Sequence, residues 1–133
     1  MSKFLICVTF CLMAGCASEQ LTPDETASMR ANIPKCSQQR ECEAMWTAAR
    51  NWVTSSCGMK IQNITDSYIE TYNSTFVLTS ACRVTKDPEP AGGYSFHVFV
   101  SCDSGCAHKM SVSLIQGFQS SLRTAGDAFK TRS

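Results

Sequence analysis

Nine cysteines in a chain of 133 residues constrain the fold more than any other feature of the sequence. This density exceeds that of most cytosolic chains and is typical of small exported domains, whose modest cores are supported by disulfide bonds. How many of the nine cysteines can pair depends on where the mature chain begins. The N-terminal residues bear on that question.

Residues 1–15 have the layout of a signal peptide. Lys3 supplies one positive charge and is followed by an apolar run of about ten residues that ends at Met13. This run is too short to cross a bilayer, which takes roughly 20 apolar residues. Ala14 and Gly15 then place small residues directly ahead of Cys16. We therefore expect an exported precursor.

Residues 12–16, Leu-Met-Ala-Gly-Cys, resemble the lipobox of bacterial lipoproteins, with Met13 where that class more often has leucine. The resemblance covers this segment only and implies no biochemical activity. It implies cleavage before Cys16 and a palmitate-type lipid anchor on that cysteine. Ala17 and Ser18 replace the aspartate that favours the inner membrane, which implies the outer membrane, on its periplasmic face rather than the cell surface. The alternative is an ordinary secretory peptide cleaved after Ala17.

Six cysteines remain for pairing once Cys7 and Cys11 leave with the leader and Cys16 carries the lipid. An even number in an oxidising compartment indicates a disulfide framework. Other pairings stay open, but the spacing favours a bond at the start of a helix, a bond that closes a tight turn, and a third bond between the two that are left. These are Cys36–Cys42, Cys102–Cys106 and Cys57–Cys82.

The mature chain divides into a tether and one small domain. Residues 16–35 lack a sustained apolar period, and we expect them to be a flexible tether. The domain over residues 36–133 begins with an amphipathic helix at about 37–55, with Ser37 as its N-cap. One side of this helix carries an apolar stripe that we expect to be core, formed by Cys42, Met45, Trp46, Ala49, Trp52 and Val53.

Short β-rich segments follow the first helix. The pattern predicts strands at 59–65, 68–72, 75–86 and 94–102, with a Pro- and Gly-rich loop over 87–93. The first two segments could instead form one long bent strand, interrupted at residues 66–67. In the third strand one face is expected to hold Phe76, Leu78, Cys82 and Val84. In the last strand Tyr94, Phe96, Val98 and Val100 share a face, and His97 and Phe99 lie on the other, a pattern compatible with cover on both sides.

A second helix is predicted at about 109–124, with an apolar stripe that continues towards Phe129 after Gly126. The order of helix, strands and helix favours an α+β fold. We expect an antiparallel meander of three to four strands with both helices packed on one face.

Charge and motifs exclude several functions. The chain carries 12 basic and 11 acidic residues, and loss of Lys3 makes the mature domain neutral, so nucleic acid is not expected as a partner. No catalytic motif is evident, and no cofactor or metal is predicted. Asp66 and Glu70 could form a carboxylate pair, although ordinary polar positions in a turn and a strand are the favoured explanation.

The leading hypothesis is a non-catalytic envelope lipoprotein that binds another envelope protein or assists assembly. A second hypothesis is a periplasmic metal-binding protein or small enzyme centred on His97, Asp103 and His108, with Cys102 and Cys106 as further metal ligands. A third is an exclusion lipoprotein of a mobile genetic element. The sequence does not identify a partner.

Overall fold

The computed structural model of the protein describes residues 21–76 and 79–132. Three helices and five strands make up this part of the chain, in the order α1 (Pro23–Ala31), β1 (Lys35–Cys36), α2 (Gln39–Ser56), β2 (Ile61–Ile64), β3 (Tyr68–Thr71), β4 (Ser80–Pro88), β5 (Tyr94–Cys102) and α3 (His108–Thr131). The predicted signal peptide, Cys16 and the first residues of the predicted tether lie outside the described residues.

All five strands form one antiparallel sheet in the order β1-β5-β4-β3-β2. The last four are consecutive in the chain, so the predicted α+β meander is confirmed. The strand count is five rather than three to four, because β1 adds two residues at the outer edge of β5. α2 and α3 pack on each other and on one face of the sheet.

The predicted flexible tether is wrong for its described part, because residues 23–31 form α1. Thr22 and Glu25 close a capping box at the start of this helix, with Glu25 N–H donating to Thr22 Oγ1 at 3.2 Å. Its polar surface concealed it from a search for apolar periodicity, since only Met29 is buried. The α3 side chain of Gln119 donates to the Met29 carbonyl at 2.8 Å and docks the helix.

The first predicted helix is confirmed as α2, with a different N-cap. Gln38 rather than Ser37 is the capping residue, because the Glu41 carboxylate reaches back to the backbone that precedes the helix. All six residues of the predicted apolar stripe are buried, including Trp46 and Trp52 at 7% exposure each. The stripe therefore serves as core, as the helical spacing indicates.

Glu41 is a buried carboxylate that joins the start of α2 to the end of α3. It is 3% exposed, accepts the Ser37 N–H at 3.0 Å, and lies 3.2 Å from Lys130 Nζ. Burial alone would raise the pKa of Glu41, but the Ser37 and Gln38 N–H groups and Lys130 outweigh it, so that the pKa lies below its ordinary value.

This shift makes part of the stability dependent on pH. A carboxyl group whose pKa is lower in the folded state contributes stability above its ordinary pKa of about 4.3, and that stability is lost as the pH falls through the folded value.

We expect Glu41→Gln to lower the free energy of unfolding at neutral pH by about 1–3 kcal/mol. Urea unfolding at a series of pH values from neutral to 3 measures this. Over that range the free energy of unfolding should fall less steeply with pH for the variant than for the wild type. Glu43→Gln, on the exposed side of α2, is the matched control. An equal loss of unfolding free energy on acidification in the wild type and Glu41→Gln would contradict the prediction.

The long hairpin of β4 and β5 sets the two faces of the sheet. Cys82, Val84 and Phe96 face the helices and are buried, as predicted. The third predicted strand begins too early, because β4 starts at Ser80 and Phe76 is 70% exposed outside any strand. Leu78 lies outside the described residues. β4 also extends through Pro88 into the predicted loop, since Pro88 stands opposite Tyr94 and requires no N–H there.

Two glycines permit close approaches that hold the core together. Gly93 has φ +78°, and a Cβ atom there would overlap the Cys36 carbonyl, which explains how β1 reaches the end of β5. Gly126 is buried in α3, where a Cβ atom would lie 3.0 Å from the Met45 sulfur of α2. The predicted second helix therefore continues through Gly126 to Thr131.

Three disulfide bonds cross-link the domain, and they are the three that the spacing favours. Cys36–Cys42 ties β1 to the first turn of α2, Cys57–Cys82 ties the end of α2 to β4, and Cys102–Cys106 closes the turn between β5 and α3. Their Cα–Cα distances are 5.2, 6.1 and 4.9 Å, within the usual range.

Candidate protein-binding face and edge

The sheet has a second face, which no described helix or strand covers. On this face the register aligns side chains from β3, β4 and β5 into two rows of three. The first row is Tyr68, Thr85 and His97, and the second is Glu70, Arg83 and Phe99. We call these six residues the open face. Strands hold their backbones in place, so the open face is a preorganised surface.

Phe99 is the most unusual residue of the open face, because this large apolar side chain is 62% exposed. Its immediate neighbour on β4 is Arg83, whose Nη2 donates to Glu70 Oε1 at 3.2 Å. The described residues therefore cover β5 on its helix side only, and not on both sides as the alternation would allow. An exposed aromatic ring beside arginine is typical of residues that dominate the energy of protein–protein interfaces.

The charges of the open face orient one another. Hydrogen bonding to Glu70 raises the pKa of Arg83, with a smaller contribution from Tyr68. Partial desolvation, followed by the Glu70 carboxylate, raises the pKa of Tyr68. Arg83 is about half exposed, so its ion pair adds little to stability. Its main effect is to fix the guanidinium beside Phe99. Glu70, the possible carboxylate partner of Asp66, forms its ion pair with Arg83.

His97 is the polar end of the open face. Its Nε2 lies 3.0 Å from Ser95 Oγ and 3.7 Å from Asp87 Oδ2, and Asp87 accepts the Thr85 hydroxyl at 2.9 Å. The imidazole is therefore held by strand neighbours on the sheet surface. It remains exposed to solvent.

His108 has a different environment, at the first residue of α3. Its Nε2 lies 3.0 Å from both carboxylate oxygens of Glu25, so it links α3 to α1. Hydrogen bonds from the Thr22 backbone and from His108 lower the pKa of Glu25. Nothing in the sequence pattern predicted this pair, because α1 itself was not expected and the partners are far apart in the chain.

The metal set of the second hypothesis is not assembled by the described residues. Within residues 21–76 and 79–132, no group of three or more His, Cys, Asp or Glu side chains is placed to hold a metal ion. Cys102 and Cys106 are bonded to each other, which removes the thiolates that the alternative required. Asp103 lies exposed in the turn that this bond closes.

A second feature adjoins the open face at the outer edge of β5. β1 pairs only with Ser95 and Tyr94, and the Phe96 N–H donates to the Pro34 carbonyl at 3.0 Å. Beyond Phe96, no described strand pairs with this side of β5. Next to this free edge lie two adjoining clefts of about 210 and 230 Å³, both lined by Leu21, Val98 and Ile115.

Comparisons with known proteins return no match: no family model, curated protein sequence or solved structure resembles this chain significantly. Among the described helices, none combines the length and apolar character that a bilayer span requires.

Proposed function

We propose that this protein is an envelope lipoprotein, held on the outer membrane by a lipid on Cys16, whose domain binds another envelope protein without catalysing a reaction. The observation that carries the binding role is the open face, where Phe99 is exposed on a strand beside an oriented arginine. Aromatic side chains and arginine are the residue types enriched at protein–protein interfaces and at their energetic hot spots, and here the strands hold one of each side by side.

Two features support the envelope location. Residues 12–16 resemble a lipobox, and three disulfide bonds suit a domain that matures in an oxidising compartment. α1 begins at Pro23, so Cys16 lies within about 25 Å of the folded domain even when the intervening chain is extended. A lipid on Cys16 would therefore hold the domain close to the headgroups.

Metabolic labelling tests the anchor. Cells that express the wild type and Cys16→Ser are grown with labelled palmitate, and the protein is then followed by fractionation of the envelope. We expect the wild type to carry label and to co-sediment with the outer membrane, and the variant to lose both properties. Ala17→Ser is the matched control and should stay labelled. An unlabelled wild type in the cytosol with six free thiols would contradict the proposal.

Site-specific photo-crosslinking in cells tests the binding role. A photoreactive amino acid is placed at Phe99 on the open face or, as control, at Thr47 on the exposed side of α2. We expect the same envelope protein to be crosslinked from position 99 in every replicate and to be absent from position 47. Equal products at both positions, or none at position 99, would contradict a binding role for the open face.

A further inference from the structure

The free edge of β5 presents unpaired backbone groups in a defined direction. In an antiparallel strand, alternate residues direct both their N–H and C=O groups towards the same neighbouring strand. The Phe96 N–H points away from β4, to Pro34. The pairing of β4 with β5 is regular from Tyr94 to Cys102, so Val98 and Val100 direct their backbone groups to the same outer edge. No described residue pairs with them there.

The space beside this edge is apolar and accessible. Val98 and Val100 are half-buried. The cleft of about 230 Å³ runs along Val98, Phe99 and Val100, and the cleft of about 210 Å³ continues it towards Phe96 under α1. An added strand would therefore find both backbone partners and room for apolar side chains. β1 already uses the same edge in this way, at the Tyr94 end.

One charged group beside the clefts indicates which charge a bound segment should carry. Arg30 of α1 lines the cleft of about 210 Å³, and its guanidinium has no ion pair or side-chain hydrogen bond with any described residue. Glu25, on the same helix, is already paired with His108. A carboxylate on the occupant would therefore meet an available cation.

We propose that the β5 edge binds an extended segment of the partner protein as an added strand, with apolar side chains in the two clefts and an acidic side chain against Arg30. This mode of recognition gains affinity from main-chain hydrogen bonds and specificity from alternate side chains. The inference deepens the proposed function and rests on it, because Phe99 borders the same edge. The chain's own residues 17–20, Ala-Ser-Glu-Gln, offer no large apolar side chain for the clefts.

Peptide selection on the full chain, purified in detergent, tests the edge. A phage-displayed random-peptide library is selected on the wild type and on Arg30→Glu. We expect peptides with alternating apolar residues and one acidic residue on the wild type, and a basic residue in its place on the variant. No enrichment, or the same charge on both proteins, overturns the proposal. Because selection does not require the lipid, a failure of the Cys16 anchor would leave this result unaffected, and the reverse also holds.

Val98→Pro and Val98→Thr provide the matched pair. Proline removes the outward N–H and its ring obstructs the edge, while threonine keeps the N–H and the branched shape. Calorimetry with the selected peptide should show about a tenfold loss of affinity, or more, for the proline variant, since a main-chain hydrogen bond and close approach are both lost. The threonine variant changes the cleft side chain but keeps the outward N–H, so it should lose clearly less affinity than the proline variant. Equal affinity of the two variants overturns the proposal.

Amide hydrogen exchange on the wild type keeps the proposal testable if the proline variant does not fold. The amides of Val98 and Val100 should exchange rapidly in the free protein and slow by about tenfold or more when the peptide is bound. Slow exchange without peptide would show that the edge is already occupied, by residues before Leu21 or by a second copy. That result also overturns the proposal.

Discussion

Replacement of Phe118 by alanine is expected to lower the free energy of unfolding by about 3–5 kcal/mol, because a fully buried aromatic ring is deleted and the core refills the space only in part. Phe118 is 0% exposed and packs edge-on against Trp52, with ring centroids 5.3 Å apart. This contact joins α2 to α3, so its loss weakens the helix layer directly. Urea unfolding followed by Trp fluorescence measures the change.

Phe99→Ala is the matched control, since it deletes the same side chain from the open face. Phe99 is 62% exposed, and we expect its removal to change the free energy of unfolding by no more than about 0.5 kcal/mol. With the photoreactive amino acid placed instead at His97, an exposed residue of the open face, Phe99→Ala should lose the crosslinked partner. A loss of stability similar to that of Phe118→Ala would mean that Phe99 belongs to the core, and it would remove the main support for the open face.

The sequence predicts elements well where burial follows a simple period. Apolar residues at helical spacing placed Met45, Trp46 and Trp52 in the core, and alternation placed Val84 and Phe96 on the helix side of the sheet. In both cases burial on one side dominates the choice of residues. The same reasoning identified the two long helices and four of the five strands.

Prediction from sequence periodicity fails where polar contacts determine the structure. α1 buries only Met29, and its position depends on Gln119 and His108, which lie far along the chain. Thr22 and Glu25 mark a helix start locally, yet a capping box without an apolar run is a weak signal. β1 has two residues, too few for any pattern. The segment was predicted as a tether because its structure depends on tertiary contacts, and no local sequence pattern indicates such contacts.

The candidate binding site was visible only in part. Alternation placed His97 and Phe99 on the same side of β5, but not whether that side is covered. The row of Glu70, Arg83 and Phe99 depends on strand register, which three separate strands must establish together. The free edge of β5 depends on where β1 ends. Such a site becomes apparent only when the strand pairing is known.

Removal of the Cys57–Cys82 bond is expected to have the second-largest effect on stability. This bond closes a loop of 25 residues between α2 and β4, whereas Cys102–Cys106 closes one of 4. On the chain-entropy model the longer loop contributes about 3.5 kcal/mol and the shorter about 2 kcal/mol, because a longer closed loop restricts the unfolded chain more. Cys57 and Cys82 are also buried at 8% and 3% exposure, so alanine at both positions leaves a small cavity.

Paired variants separate the two bonds. Cys57→Ala with Cys82→Ala should lower the unfolding free energy by about 1.5 kcal/mol more than Cys102→Ala with Cys106→Ala. Thermal and urea unfolding of both oxidised proteins measure that difference. Cys106 borders the cleft beside β5. Loss of the Cys102–Cys106 bond should therefore reduce the binding free energy of the peptide by more than it reduces the free energy of unfolding. The opposite ranking of stabilities would mean that the β5–α3 turn, rather than the joint of α2 and β4, limits unfolding.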